Sequence, residues 1–104
     1  MAIKITENPQ WHEFQPGIEL LINPVTRSDM RKMVTDANGD QEKLAELMAD
    51  HTLLGWQGLA TDDGSDLPVT IENKKVVMNN IILAQFIDEK STGLLAAEEK
   101  EEKN

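Results

Sequence analysis

The chain has 104 residues, with 10 Lys and Arg against 19 Asp and Glu and a net charge of −9. That length fits one domain, and Leu, Ile, Val and Phe supply a quarter of it, above the roughly 20% below which charged chains stay disordered. The absence of cysteine excludes disulfides, thiolate metal sites and cysteine nucleophiles and suits a reducing cytoplasm. The acidity disfavours nucleic-acid binding, and no window approaches the about 18 consecutive apolar residues of a membrane span.

Residues 1–8 read as a mobile start, and Lys4, Thr6, Glu7 and Asn8 interrupt any secretory apolar run. Trp11–Phe14 and Ile18–Ile22 flank Gln15-Pro16-Gly17. Pro presets its own φ and Gly accepts φ > 0, so the segment predicts a β-hairpin. Asn23-Pro24 stops the second strand, because Pro lacks the ladder donor.

A capping box, Thr26 with Asp29, opens a first helix, whose apolar face carries Met30, Met33, Val34 and Ala37. Asn38-Gly39 ends it, both residues tolerating left-handed backbone. Asp40 caps a second helix with an inner face of Leu44, Leu47, Met48 and His51, terminated by Gly55. So short a connection predicts a two-helix hairpin. Residues 56–69 read as a structured loop, pinned by Trp56 and Leu59, turning at Thr61 to Asp66 and extended at Leu67-Pro68-Val69.

Thr70 caps a third helix to about Met78, with Ile71, Lys75 and Met78 on one side and Val76 and Val77 widening the apolar arc. Asn80 caps a fourth, whose inward face is Ile82, Leu83, Phe86 and Ile87. Gly93 either ends that helix or weakens it before Leu94-Leu95-Ala96-Ala97. Residues 98–104, with four Glu and two Lys, read as a solvated, disordered tail or a fraying helix end. The fold class is therefore α+β: an N-terminal β-hairpin, then a small, mostly helical domain of about four helices, as one domain over 1–97.

Catalytic signals are weak. His12 and His51 have no His or carboxylate at i+4, so no metal site is expected, and His51 on a helical face reads as a hydrogen-bonded, half-buried histidine. An EF-hand loop starting at Asp36 would need Gly and Glu where Gln41 and Leu47 stand, and one starting at Asp62 meets Leu67 at its sixth position. Ser28, Ser65 and Ser91 lack a nucleophile-elbow setting, and Gly55 and Gly58 do not make a phosphate loop. The expectation is a non-enzyme without cofactor or metal. Met30, Met33, Met48 and Met78 read first as core and second as an adaptable groove for apolar helices. Trp56, between Gly55 and Gly58, is a core anchor or an interface hot spot, the anchor coming first.

Three stretches then form a pattern: Leu54-Gly55-Trp56-Gln57-Gly58-Leu59, the acidic turn Asp62-Asp63-Gly64, and Leu67-Pro68-Val69-Thr70-Ile71-Glu72-Asn73. This Trp-x-Gly step, Asp-Gly turn, Pro-bearing extended piece and Thr-x-Glu-Asn helix start resembles the small tail assembly chaperones of long-tailed bacteriophages. Ile82, Leu83, Phe86 and Ile87 match the family's following helix, and the upstream hairpin and Pro24-to-Thr26 helix start also fit. The resemblance spans roughly residues 12–90; Asn79-Asn80 departs from it where relatives often carry Pro. It implies a cytoplasmic protein, absent from the finished virion, that keeps the tape measure protein soluble and promotes polymerisation of the tail tube protein. In relatives a longer, frameshifted form recruits the tube protein, and the purine-rich codons of Glu-Glu-Lys-Glu-Glu-Lys-Asn are of the kind that permits slippage. Homo-oligomers are compatible with that role, and nucleic acid and membrane are not among the expected partners. Trp56, Leu59, Met48 and Phe86 are the candidate partner-binding residues. The alternative is a structural tail or head-completion protein retained in the virion. An acidic DNA mimic ranks last, because the carboxylates are scattered through turns, caps and tail.

Overall fold

A computed structural model of the protein describes residues 2–96. Three strands, β1 (Ile3–Ile5), β2 (Gln10–Gln15) and β3 (Ile18–Ile22), are followed by α1 (Arg27–Ala37) and α2 (Gln41–Thr52). Then come β4 (Leu53–Gln57), α3 (Ile71–Met78), α4 (Ile81–Lys90) and β5 (Leu94–Ala96). The fold is α+β, as expected: a hairpin, then four helices. The charged tail expected over 98–104 lies outside the described residues.

β2 and β3 form the hairpin across Pro16-Gly17, with Gly17 at φ 88°. β4 adds to the far side of β3, giving an antiparallel sheet of order β2-β3-β4. Alternation along β3 sends Leu20 and Ile22 to one face, and Leu20 pairs with Trp56 and Ile22 with Leu53. These four, with Val77 of α3 and Ile87 of α4, are the buried core. α4 also reaches β2: the Phe86 ring meets Phe14 edge-on at 5.2 Å and His12 at 6.5 Å.

Every helix N-cap read from sequence is present. The Thr26 hydroxyl accepts from the Asp29 amide and the Asp29 carboxylate accepts from the Thr26 amide, both at 3.0 Å. Asp40, Thr70 and Asn80 each accept from the amide three residues on. Asn38, at φ 51°, closes α1 in the left-handed region.

Elsewhere the structure departs from expectation. The N-terminal residues form β1, which pairs antiparallel with β5, Ile5 opposite Leu94 and Ile3 opposite Ala96. A bond from the Thr6 amide to the Gly93 carbonyl, 2.8 Å, anchors this ribbon. A strand whose partner lies some 90 residues away carries no local turn signal. Gly93 does not weaken a longer helix: α4 stops at Lys90, and Gly93 at φ 81° turns the chain into β5. Gly55 does not terminate α2, which passes straight into β4 at Leu53. Trp56 accordingly belongs to a strand, and the loop begins after Gln57.

Apolar faces also differ in detail. Met33 and Ala37 are buried in α1, whereas Met30 and Val34 are exposed. In α4 Ile87 is buried and Leu83 and Phe86 pack on the core, but Ile82 faces out. In α3 the inward residues are Val77 and Lys74, not the Ile71–Lys75–Met78 side alone. The Lys74 stem is covered while its ammonium reaches Asp50 of α2 at 3.1 Å, the usual way a long cation crosses an apolar layer.

His12 gives the fold a measurable pH signature. Its position against Phe86 buries it, and that burial, with a smaller contribution from the Lys90 ammonium, holds its pKa below the ordinary 6.5. The unfolded chain then binds a proton that the folded chain refuses, so stability is full above the unfolded pKa and declines as pH falls through it. Urea midpoints between about pH 8 and about pH 5 are expected to fall in the wild type and to fall less in His12→Gln. The depressed carboxylates act in a lower window: Asp63, held to about 2 chiefly by the Thr61 hydroxyl, loses its contribution only as pH falls below the normal Asp range toward that value.

Candidate functional site: an apolar surface on the helical side

The four candidate partner-binding residues do not form one exposed surface. Trp56 is 7% exposed and lies in the core, its indole Nε1–H donating to the Leu67 carbonyl at 2.8 Å. Leu59 and Phe86 pack against the same buried cluster. Phe86 also lies beneath the Lys90 ammonium, 5.6 Å from its ring centre. Met48 is half-buried on α2.

His51 and Asp29 form the most concentrated polar arrangement. His51 Nε2 lies 3.4 Å from Asp29 Oδ2 and 3.3 Å from the Pro24 carbonyl, so a proton on that nitrogen is shared between them. Asn23 Nδ2 donates to the His51 carbonyl at 3.0 Å. The Thr26 amide bond, more than His51, holds the Asp29 carboxyl below its usual range. These contacts tie the end of α2 to the β3–α1 connection and to the α1 cap. Among the described residues no group of three or more His, Cys, Asp or Glu is arranged to hold a metal ion.

A different surface stands out on physical grounds. Between α2 and α3 runs a groove of about 580 Å³, lined by Ala45 and Ala49 on one side and by Glu72, Lys75, Val76, Met78 and Asn79 on the other. The alanines leave room where larger side chains would close the helix pair. Lys75 spans to Glu46 at 3.5 Å. Val76, 64% exposed, forms part of the wall, and across the Asn79–Asn80 turn α4 begins with Ile81 and Ile82, 72% and 60% exposed. Three large aliphatic residues thus stand in water around one turn, whereas isolated exposed apolar residues are ordinary.

Sequence reasoning placed Val76 and Ile82 on inward faces and did not single out Ile81. A signal was available in the doublets Val76-Val77 and Ile81-Ile82. Helical neighbours point about 100° apart, so a short helix with one narrow buried stripe cannot bury both members of such a doublet, and in α4 both Ile81 and Ile82 lie outside the stripe. Val77 is 3% exposed, and its neighbour is the one that faces water.

The model of one protein family, described as YdaY prophage protein, matches residues 6–104. No curated protein and no solved structure matches the chain. With nearly its whole length matched, the chain belongs to the YdaY prophage protein family.

Proposed function

We propose that this YdaY-family prophage protein is a tail assembly chaperone, which binds the tape measure protein non-covalently in the host cytoplasm and leaves before the virion is complete. The observation that carries the reading is the exposure of Val76, in the wall of the α2–α3 groove, and of Ile81 and Ile82 at the start of the next helix, on a chain of net charge −9. The charge resists aggregation while these aliphatic side chains offer contact to a greasy helix. The Trp-x-Gly to Thr-x-Glu-Asn pattern of residues 54–73 supports the same reading.

Magnitudes suit a holdase. Fully burying one aliphatic side chain contributes about 1.5–3 kcal/mol, and association costs at least about 4 kcal/mol in lost freedom. Three partly exposed side chains therefore give weak binding at one site, and many copies along one long helix supply the retention. Promotion of tail tube assembly follows if bound copies, or a longer frameshifted form, hold the tape measure protein extended.

Co-expression with the tape measure protein of the same prophage tests this. Wild type is expected to raise the soluble yield of that protein, and the triple variant Val76→Asp, Ile81→Asp, Ile82→Asp is expected to lose the gain while keeping its circular dichroism spectrum. No gain with wild type overturns the reading. Mass spectrometry of purified particles is expected to find the chain missing; its presence in stoichiometric amount would favour a structural tail or head-completion protein.

A further inference from the structure

The ribbon formed by β1 and β5 carries a second apolar face, independent of the helical surface. In antiparallel pairing, directly opposed residues share a face, so Ile5 and Leu94 stand side by side and Ile3 follows on β1. They are 79%, 51% and 62% exposed. Lys4 projects from the opposite face. A two-stranded ribbon is marginal by itself and needs a layer against its apolar side. Here the ribbon is fixed to the domain at its base, by the Thr6–Gly93 bond and by the Val25 amide donating to the Ser91 carbonyl at 2.9 Å. Gly93 is buried there, and a Cβ on it would lie 2.7 Å from the Thr6 carbonyl oxygen. The ribbon's base is locked and its aliphatic face is bare.

We propose that this face is covered by the same face of a second copy of the chain, the two ribbons packing Ile3, Ile5 and Leu94 against their own equivalents across a two-fold axis.

Charge argues for a copy of itself. Across residues 2–6 and 92–97 the only charged side chain is Lys4, in a chain that carries 19 carboxylates. Two molecules of net charge −9 repel over most of their surfaces, and this carboxylate-free stretch is where they meet with least cost. The next residues, 98–103, are all charged and include no apolar side chain. Shape agrees: an alternating aliphatic strand face packs on its like as in a sandwich, sheets about 10 Å apart, and a two-fold axis makes one patch complementary to itself. Three side chains per copy fall well short of the about 800 Å² per partner of a stable pair, so the dimer is weak and forms with rising concentration.

Sedimentation equilibrium of the full chain tests this, with Ile5→Lys, Leu94→Lys and Ile81→Lys alongside. Lysine moves the net charge toward zero, so a lost dimer cannot be assigned to greater repulsion. The wild type is expected to rise from 11.6 kDa toward twice that value as concentration approaches about 1 mM. Ile81→Lys is expected to follow it, and both ribbon variants to stay at monomer mass with unchanged circular dichroism. A wild type that stays monomeric throughout overturns the proposal. So does a dimer that persists in both ribbon variants, or one that Ile81→Lys also abolishes. Should one ribbon variant unfold, the other decides. The readout involves no tape measure protein, so its failure leaves the chaperone reading standing, and the converse holds.

Discussion

Trp56→Ala is expected to destabilise the domain by about 3–5 kcal/mol. The indole is 7% exposed, stands opposite Leu20 across the β3–β4 pair, and shares a cluster with Ile22, Leu53, Val77 and Ile87. Its removal leaves the largest cavity that any single truncation in this core could make. It also withdraws the Nε1–H donor from the Leu67 carbonyl, the bond that draws the Leu67-Pro68-Val69 segment onto the sheet before α3 begins. In a domain of this size each kcal/mol moves the melting temperature by roughly 4–8 °C, so a fall of more than about 12 °C is expected in a thermal scan. Trp56→Phe keeps most of the apolar volume and loses the donor, and its expected cost is smaller. A near-native melting temperature for Trp56→Ala, with partner binding lost, would move the residue from the core to an interface.

Gly58→Ala is expected to cost about 2–6 kcal/mol, through two additive effects. Gly58 has φ +90°, a conformation that costs a residue with a Cβ about 1–3 kcal/mol. A Cβ there would also stand 2.1 Å from the Gly17 carbonyl oxygen and 3.0 Å from the Ile18 Cα. Both are backbone atoms of the β2–β3 turn, and forcing such packed elements apart costs about another 1–3 kcal/mol. Gly64→Ala separates the two effects: Gly64 has the same φ, +90°, but nothing within 4 Å of a built Cβ. Urea denaturation of both variants is expected to show Gly58→Ala clearly the more destabilised. Equal losses would mean that the approach of the chain after β4 to the hairpin turn is not tight.

How much was legible before the fold was known depended on the reach of each signal. The Thr26–Asp29 capping box, the caps at Asp40, Thr70 and Asn80, the Asn38-Gly39 stop and the Pro16-Gly17 turn were all readable. Each is a bond or a backbone preference acting within three or four residues, where neighbours in sequence are neighbours in space. β1 was not readable, because Ile3-Lys4-Ile5 acquires strand geometry only from Leu94 to Ala96. β4 was hidden for a related reason. Its glycine and its position directly after a helix suggested a stop and a loop, and only the free edge of β3 makes Leu53 to Gln57 a strand.

The candidate site divides along the same line. Trp56 reads from sequence as a core anchor first, and Trp56, Leu59, Met48 and Phe86 as candidate partner-binding residues, but Trp56 lies in the core with Leu59 and Phe86 packed against it, and Met48 is half-buried on α2. Hydropathy reports that a residue favours burial; it does not say whether this chain's own helices provide it. Val76, Ile81 and Ile82 look like core in one dimension and stand in water in three, because α3 turns Val77 to the core and α4 turns Leu83, Phe86 and Ile87.

The amino-acid sequence by itself determined the α+β class, the helix starts, the hairpin and the acidic exterior, since these follow from local hydrogen bonding, backbone preference and composition. Tertiary structure alone decided that the N-terminal strand pairs with β5, that Trp56 is a strand residue, and which aliphatic side chains are left uncovered. Those outcomes depend on the relative placement of elements far apart along the chain, where burial is shared out among competing faces and no short-range interaction carries the information.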